Sequence, residues 1–115
     1  RSSDGHFYAD ATVNGRGVDF LVDTGASVVA LTGPDARAVG LSWSDADIRE
    51  IARGANGPVY GVATTIDTLE LGGHEAKNIR AIIVPEGLDI SLLGQNFLST
   101  LNPVRIEEDQ MVLGG

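Results

Sequence analysis

The sequence predicts an all-β fold, a closed barrel or a sandwich with one or two short helices, and three observations carry that expectation. Short Val/Ile/Thr-rich segments recur with Gly, Asn and Pro between them. No long stretch repeats apolar residues at helical spacing. The length of 115 residues suits one domain around one core and leaves no room for a second lobe, so residues 1–115 are read as a single domain. A composition of 43% hydrophobic and 21% charged residues fits a folded chain, and the absence of cysteine excludes disulfides and Cys-ligated metals.

Residues 6–13 are extended in type, and Asn14-Gly15 is a strong hairpin signal before Val18-Asp19-Phe20-Leu21-Val22, so these two segments are expected to pair antiparallel. After Asp23-Thr24-Gly25-Ala26, the run from Ser27 to Leu31 reads as a buried strand. Thr32 is placed to cap a short helix through Val39, with Gly40 to end it. Residues 42–47 read as a polar connection, although Asp45-Ala46-Asp47 could also open a helical turn. Ile48 to Arg53 and Val59 to Leu71 flank Gly54-Ala55-Asn56-Gly57-Pro58, which predicts a hairpin with a glycine-rich tip. Gly72-Gly73 turns the chain into a strand over Ala76 to Val84, and Pro85-Glu86-Gly87 breaks it. Leu92-Leu93-Gly94 then reads as a buried strand end before a short helix, and Val104 to Leu113 as a last hairpin turning at Glu108-Asp109. One internal echo stands out: an apolar pair meets a loop at Leu21-Val22-Asp23-Thr24-Gly25 and again at Leu92-Leu93-Gly94.

Sixteen acidic residues against eight basic ones give a formal charge of −8, a field that repels nucleic acid and anionic lipid surfaces. No nucleic-acid partner and no membrane contact by this domain itself are therefore expected. No apolar run approaches the ~18 residues that span a bilayer. The start Arg1-Ser2-Ser3-Asp4 lacks both an initiator Met and a signal-peptide pattern, so the chain reads as a processed or excised domain from which any anchor or targeting segment would be missing.

The sharpest chemical feature is Asp23-Thr24-Gly25-Ala26. A carboxylate placed directly after Phe20-Leu21-Val22 is poorly hydrated, and Gly25 lets main-chain N–H groups approach it closely. With this loop, Leu92-Leu93-Gly94 ahead of a short helix, and a glycine-rich hairpin between them, the chain resembles the retropepsin-like aspartyl proteases, most of all their bacterial single-domain branch. The resemblance covers nearly the whole chain. Ser27 departs from viral members, many of which carry a second acid there.

That resemblance implies a closed acid-protease barrel and an aspartic endopeptidase whose catalytic residue is Asp23, in an active-site loop with Thr24, Gly25 and Ala26. Aspartic proteases as a class hydrolyse peptides with two carboxyls about 3 Å apart that share one proton, one activating water and the other protonating the carbonyl oxygen. A chain with one Asp-Thr-Gly supplies half of such a site, so a homodimer with an Asp23/Asp23′ dyad is implied. Gly54, Ala55, Asn56 and Gly57 correspond to the flap that closes over a protein or peptide substrate. Val28, Ile51, Val84 and Leu93 correspond to apolar pocket positions. No metal or organic cofactor is implied, mildly acidic pH should suit the reaction, and the bacterial branch often follows a membrane anchor facing the periplasm.

Blander readings exist for each feature. Asp-Thr-Gly alone is a common turn, Leu92-Leu93-Gly94 alone is core packing, and the Gly54–Gly57 segment alone is an ordinary hairpin tip. A phosphate-binding role lacks a Gly-Lys-Ser/Thr sequence and a following helix. His6 and His74 lack a paired metal-ligand spacing, and no Gly-x-Ser-x-Gly elbow is present. Asp45, Asp47 and Glu107-Glu108-Asp109 read as solvated turns, Trp43 as a satellite packing residue, and Tyr60 as a plain hairpin aromatic first and a substrate contact beside the tip second. The alternative to the enzyme is a non-catalytic peptide-binding or assembly module that keeps the same barrel.

Overall fold

Strand β1 (Phe7–Val13) runs antiparallel to β2 (Arg16–Val22), with Phe7 opposite Val22 and Val13 opposite Arg16. The computed structural model to which these strands belong describes residues 7–54, 57–101, 104–107 and 110–113. Asn14 and Gly15 form the turn with φ of 52° and 83°, the two left-handed conformations that a tight two-residue hairpin needs. Asn14 also reaches outside its hairpin. Its N–H donates to the Thr68 carbonyl at 2.9 Å and its Oδ1 accepts from the Thr68 N–H at 3.1 Å, so one residue turns the chain and pins it across the fold.

Strand β3 (Val29–Thr32) is buried along its whole length, and Thr32 caps helix α1 (Gly33–Ala38) by accepting from the Asp35 N–H at 3.1 Å. The strand starts two residues later than the sequence predicts. Ser27 and Val28 are bent because the chain lies against Gly94, and the Ser27 carbonyl accepts from the Asn96 N–H instead of a strand neighbour. Helix α1 ends at Ala38, with Gly40 at φ 90° turning the chain away. Asp45–Asp47 form a single 3-10 turn, whose Asp47 carboxylate accepts from the Ser44 N–H at 2.9 Å.

Strands β4 (Arg49–Gly54) and β5 (Gly57–Leu71) form the expected hairpin, with Gly54 opposite Gly57 at its described end. Ala55 and Asn56 lie outside the described residues. Gly72-Gly73 turns β5 into β6 (His74–Val84), then follow β7 (Ser91–Leu93), helix α2 (Gln95–Leu98) and a hairpin of β8 (Val104–Glu107) with β9 (Gln110–Leu113). The predicted turn residues Glu108-Asp109 of that hairpin lie outside the described residues.

Six strands close into a barrel in the order β1-β2-β7-β3-β6-β5, and pairing of Thr12 and Val13 with Glu70 and Leu69 completes the ring. Strand β4 adds to the outer part of β5. Two pairs are parallel, β2 with β7 and β3 with β6. The first puts the sequence echo side by side: Leu21 faces Leu92 and Val22 faces Leu93.

Inside the ring, Val13, Phe20, Val29, Leu31, Ile66, Leu69, Ile83 and Leu93 lose almost all their solvent exposure, and Phe97 of α2 is fully buried in the same core. Burying each large side chain contributes roughly 1.5–3 kcal/mol, so the barrel interior stabilises the fold. One buried polar group is built into it. Ser91 is fully buried, accepts from the Thr32 N–H at 3.1 Å and donates to Asp35 Oδ2 at 2.6 Å, which ties α1 to β7. None of the helices among the described residues is long and apolar enough to cross a membrane.

Candidate active site

Asp23 follows directly on β2, where the parallel strand β7 ends beside it. Its own N–H donates to the Leu93 carbonyl at 3.1 Å, so the first residue past the barrel is still held by a ladder bond. The Gly25 N–H donates to Asp23 Oδ1 at 2.9 Å, and the Ala26 N–H donates to the Asp23 carbonyl at 3.1 Å, which folds the loop back on its carboxylate. A Cβ on Gly25 would stand 3.3 Å from that same carboxylate oxygen. Glycine there permits the close approach that aims a main-chain dipole at the acid. Asp23 is half-buried, and Thr24 is exposed.

The loop is clamped from the α2 side. The Gln95 N–H donates to the Ala26 carbonyl at 2.8 Å, the Asn96 N–H to the Ser27 carbonyl at 3.1 Å, and the Gln95 side-chain amide to the Thr24 carbonyl at 3.0 Å. Asn96 Oδ1 accepts from the Val29 N–H at 3.0 Å while its Nδ2 donates to the Arg80 carbonyl at 2.7 Å. This single side chain therefore bridges β3 and β6 beneath the loop. Gly94 makes the contact possible, because a Cβ there would overlap the Val28 carbonyl group and stand 2.8 Å from the Val28 nitrogen.

The sequence reading did not single out Gln95 and Asn96. Their signal was present, since two amide side chains directly after Leu92-Leu93-Gly94 can cross-link a neighbouring loop.

Of the four expected pocket positions, one lines a cleft and one is sealed in the core. Val84 lines a cleft of about 1000 Å³ between the start of β5 and the body of the domain, where Tyr60, Trp43 and Arg37 also stand. Val28 and Ile51 are half-buried and not part of that lining. Leu93 is fully enclosed in the core, which corrects the expectation that it faces a pocket. Alternation along β7 explains the difference: Ser91 and Leu93 point inward, whereas Leu92 between them keeps some exposure. Trp43 is more than satellite packing, because it carries the Arg37 guanidinium 4.5 Å above its ring and faces the cleft. Among the described residues, no three His, Asp or Glu side chains gather as a metal would need.

A closed six-stranded barrel with Asp-Thr-Gly at the end of one strand and Leu-Leu-Gly at the end of its parallel neighbour defines the acid-protease class of fold. A model of the family described as "gag-polyprotein putative aspartyl protease" matches residues 9–100. The chain belongs to the retropepsin-like aspartyl protease family. A crystal structure of a retropepsin-like aspartic protease from Rickettsia conorii superposes with a TM-score of 0.80 at 36% identity, covering 98% of this chain and 84% of that one. The EIAV protease complexed with the inhibitor HBY-793 shares the fold, with a TM-score of 0.68 at 19% identity over 87% of this chain and 91% of that one. Among curated proteins, "Uncharacterized protein RP867" of Rickettsia prowazekii is 38% identical over 113 residues, 98% of this chain and 48% of its own length. "Uncharacterized protein in cobV 5'region" of Sinorhizobium sp. is 38% identical over 110 residues, 95% of this chain and 47% of its own length. The chain thus spans about half the length of the curated relatives it matches.

Proposed function

We propose that this domain is an aspartic endopeptidase whose site assembles from two copies, each contributing Asp23. The observation that carries the reading is the held carboxylate: Asp23 sits at a barrel strand end, anchored to Leu93 through its N–H and contacted at Oδ1 by the Gly25 N–H. Two such loops meeting on a two-fold axis would place two carboxyls together with one proton between them. The ionised member takes a proton from water as its oxygen attacks the peptide carbonyl carbon. The protonated member gives its proton to the carbonyl oxygen, forming a gem-diol. Collapse of the gem-diol breaks the C–N bond, the amine leaves with a proton from the dyad, and the acid product retains the water oxygen.

Rigidity of the loop is what this chain supplies to that chemistry. The clamp from Gln95 and Asn96 fixes where the carboxylate points before substrate arrives, which lowers the cost of orienting it. The β4–β5 hairpin supplies an extended edge that a peptide backbone could pair with, with glycines at both sides of its tip. The domain works in the periplasm from a membrane anchor outside these residues, a reading supported by resemblance to the bacterial branch and tested by fractionating cells that carry the full-length protein.

Purified Asp23→Asn protein is expected to keep the wild-type fold by circular dichroism and to lose cleavage of a diverse peptide library. Turnover equal to wild type would overturn the endopeptidase reading.

A further inference from the structure

The cleft at the start of β5 is large, and the catalytic loop contributes nothing to its lining. A volume of about 1000 Å³ stands at the upper end of the range for small-ligand sites and admits a whole side chain with its neighbours. Val59, Tyr60 and Val84 give it apolar walls. Tyr60, 53% exposed, is one of two large hydrophobic side chains left open to solvent among the described residues.

Three charged residues face this space: Arg37, Asp45 and Glu86. The Arg37 guanidinium is stacked on Trp43, so the one cation of the lining is seated on an aromatic face. Asp45 and Glu86 make no ion pair with another described residue. Two open carboxylates against one stacked cation leave the cleft negative, within a domain of net charge −8. Arg37 opposes a basic occupant, but the two acids outweigh it.

Position relates this cleft to the catalytic loop. Strand β3 begins at Val29, three residues past Ala26, and ends at Thr32, whose register partner is Val84 of the cleft wall. At a rise of ~3.3 Å per residue, the stretch from Val29 to Gly33 covers roughly 13 Å, or about four residues of an extended peptide.

We infer that this cleft is a substrate subsite, remote from the scissile bond, that holds an Arg or Lys side chain. The aliphatic stem lies against Val59, Tyr60 and Val84, and the cationic head lies between Asp45 and Glu86. The inference rests on the endopeptidase reading, since it takes the ligand to be the substrate peptide.

The test uses the Asp23→Asn domain as a binding platform and fluorescent peptides of one cleavable sequence, in which Arg, norleucine or Glu is placed at each position in turn. At one position several residues from the scissile bond, Arg is expected to bind about tenfold tighter than norleucine, with Glu weakest. Asp45→Asn combined with Glu86→Gln is expected to abolish that preference while norleucine peptides bind as before. Equal binding of all three series, tighter binding of Glu, or an Arg preference unchanged in the double variant would overturn the subsite. The same peptides given to wild-type protein separate the two readings: cleavage without a basic preference removes the subsite alone, and Arg-selective binding without any cleavage removes the endopeptidase alone. Failure of every peptide both to bind and to be cleaved overturns both.

Discussion

Gly94 is where the smallest chemical change should do the most damage. A Cβ at this position would overlap the Val28 carbonyl group and stand 2.8 Å from the Val28 nitrogen. All three atoms are backbone, so no side chain can swing aside. To restore ordinary contact the 26–28 segment must withdraw by roughly 1 Å, which stretches the bonds from Gln95 to Ala26 and from Asn96 to Ser27, now 2.8 and 3.1 Å. Overpacking of this kind costs about 1–3 kcal/mol and each weakened hydrogen bond about 1 more, so Gly94→Ala is expected to destabilise the domain by roughly 3–5 kcal/mol. Urea unfolding followed by circular dichroism reads the change as a lower midpoint at unchanged slope. Gly15→Ala is the contrast: nothing lies within 4 Å of its Cβ, and only its φ of 83° is strained, so about 1–2 kcal/mol is expected. A Gly94→Ala protein within about 0.5 kcal/mol of wild type, or less affected than Gly15→Ala, would refute the reasoning that Gly94 seats the Asp-Thr-Gly loop.

Further outcomes follow from single contacts. Ser91→Ala should cost about 1–3 kcal/mol in urea unfolding, because the buried Thr32 N–H loses its acceptor and Asp35 its donor; an unchanged midpoint would count against the buried bridge. Phe20→Ala, in the sealed barrel interior, should cost about 3–5 kcal/mol by the same measurement. Asp19 faces Asp10 across β1 and β2, and a hydrogen bond to Asp10, then its negative charge, raise the Asp19 carboxyl above its ordinary value. Because the folded value lies above the unfolded one, this contribution to stability is complete below the ordinary carboxylate range and is lost as pH rises through the raised value. Asp19→Asn should therefore flatten the pH dependence of the melting temperature and melt higher than wild type at neutral pH; a lower melting temperature there would contradict it.

Local chemistry made much of this fold legible. Asn14-Gly15 announces its turn because few residues other than Asn and Gly accept two successive left-handed conformations, and Thr32 announces its cap because its hydroxyl is three residues ahead of the Asp35 N–H. The Asp-Thr-Gly loop stands out because Asp23-Thr24-Gly25 sits at an apolar strand end. What could not be read is set by distant neighbours. Ser27 and Val28 have strand composition, but the close approach of Val28 to Gly94 takes them out of the ladder. Leu92 and Leu93 are chemically identical, and only the register of β7 between β2 and β3 decides which one is sealed inside. The cleft beside Trp43 joins residues from α1, the 3-10 turn, β5 and the 85–87 turn, a meeting no local pattern encodes.

The central claim is that one active site needs Asp23 from two copies, and subunit mixing tests it most directly. Wild-type protein held at fixed concentration is mixed with increasing Asp23→Asn protein under conditions of subunit exchange, and peptide cleavage is measured against an equal addition of buffer. If the two chains pair at random and a mixed pair is inactive, an equimolar mixture retains about half the activity of the same wild-type protein alone, and further variant lowers it towards zero. Cleavage that stays constant however much Asp23→Asn protein is added would contradict the shared site and place the whole catalytic apparatus in a single chain.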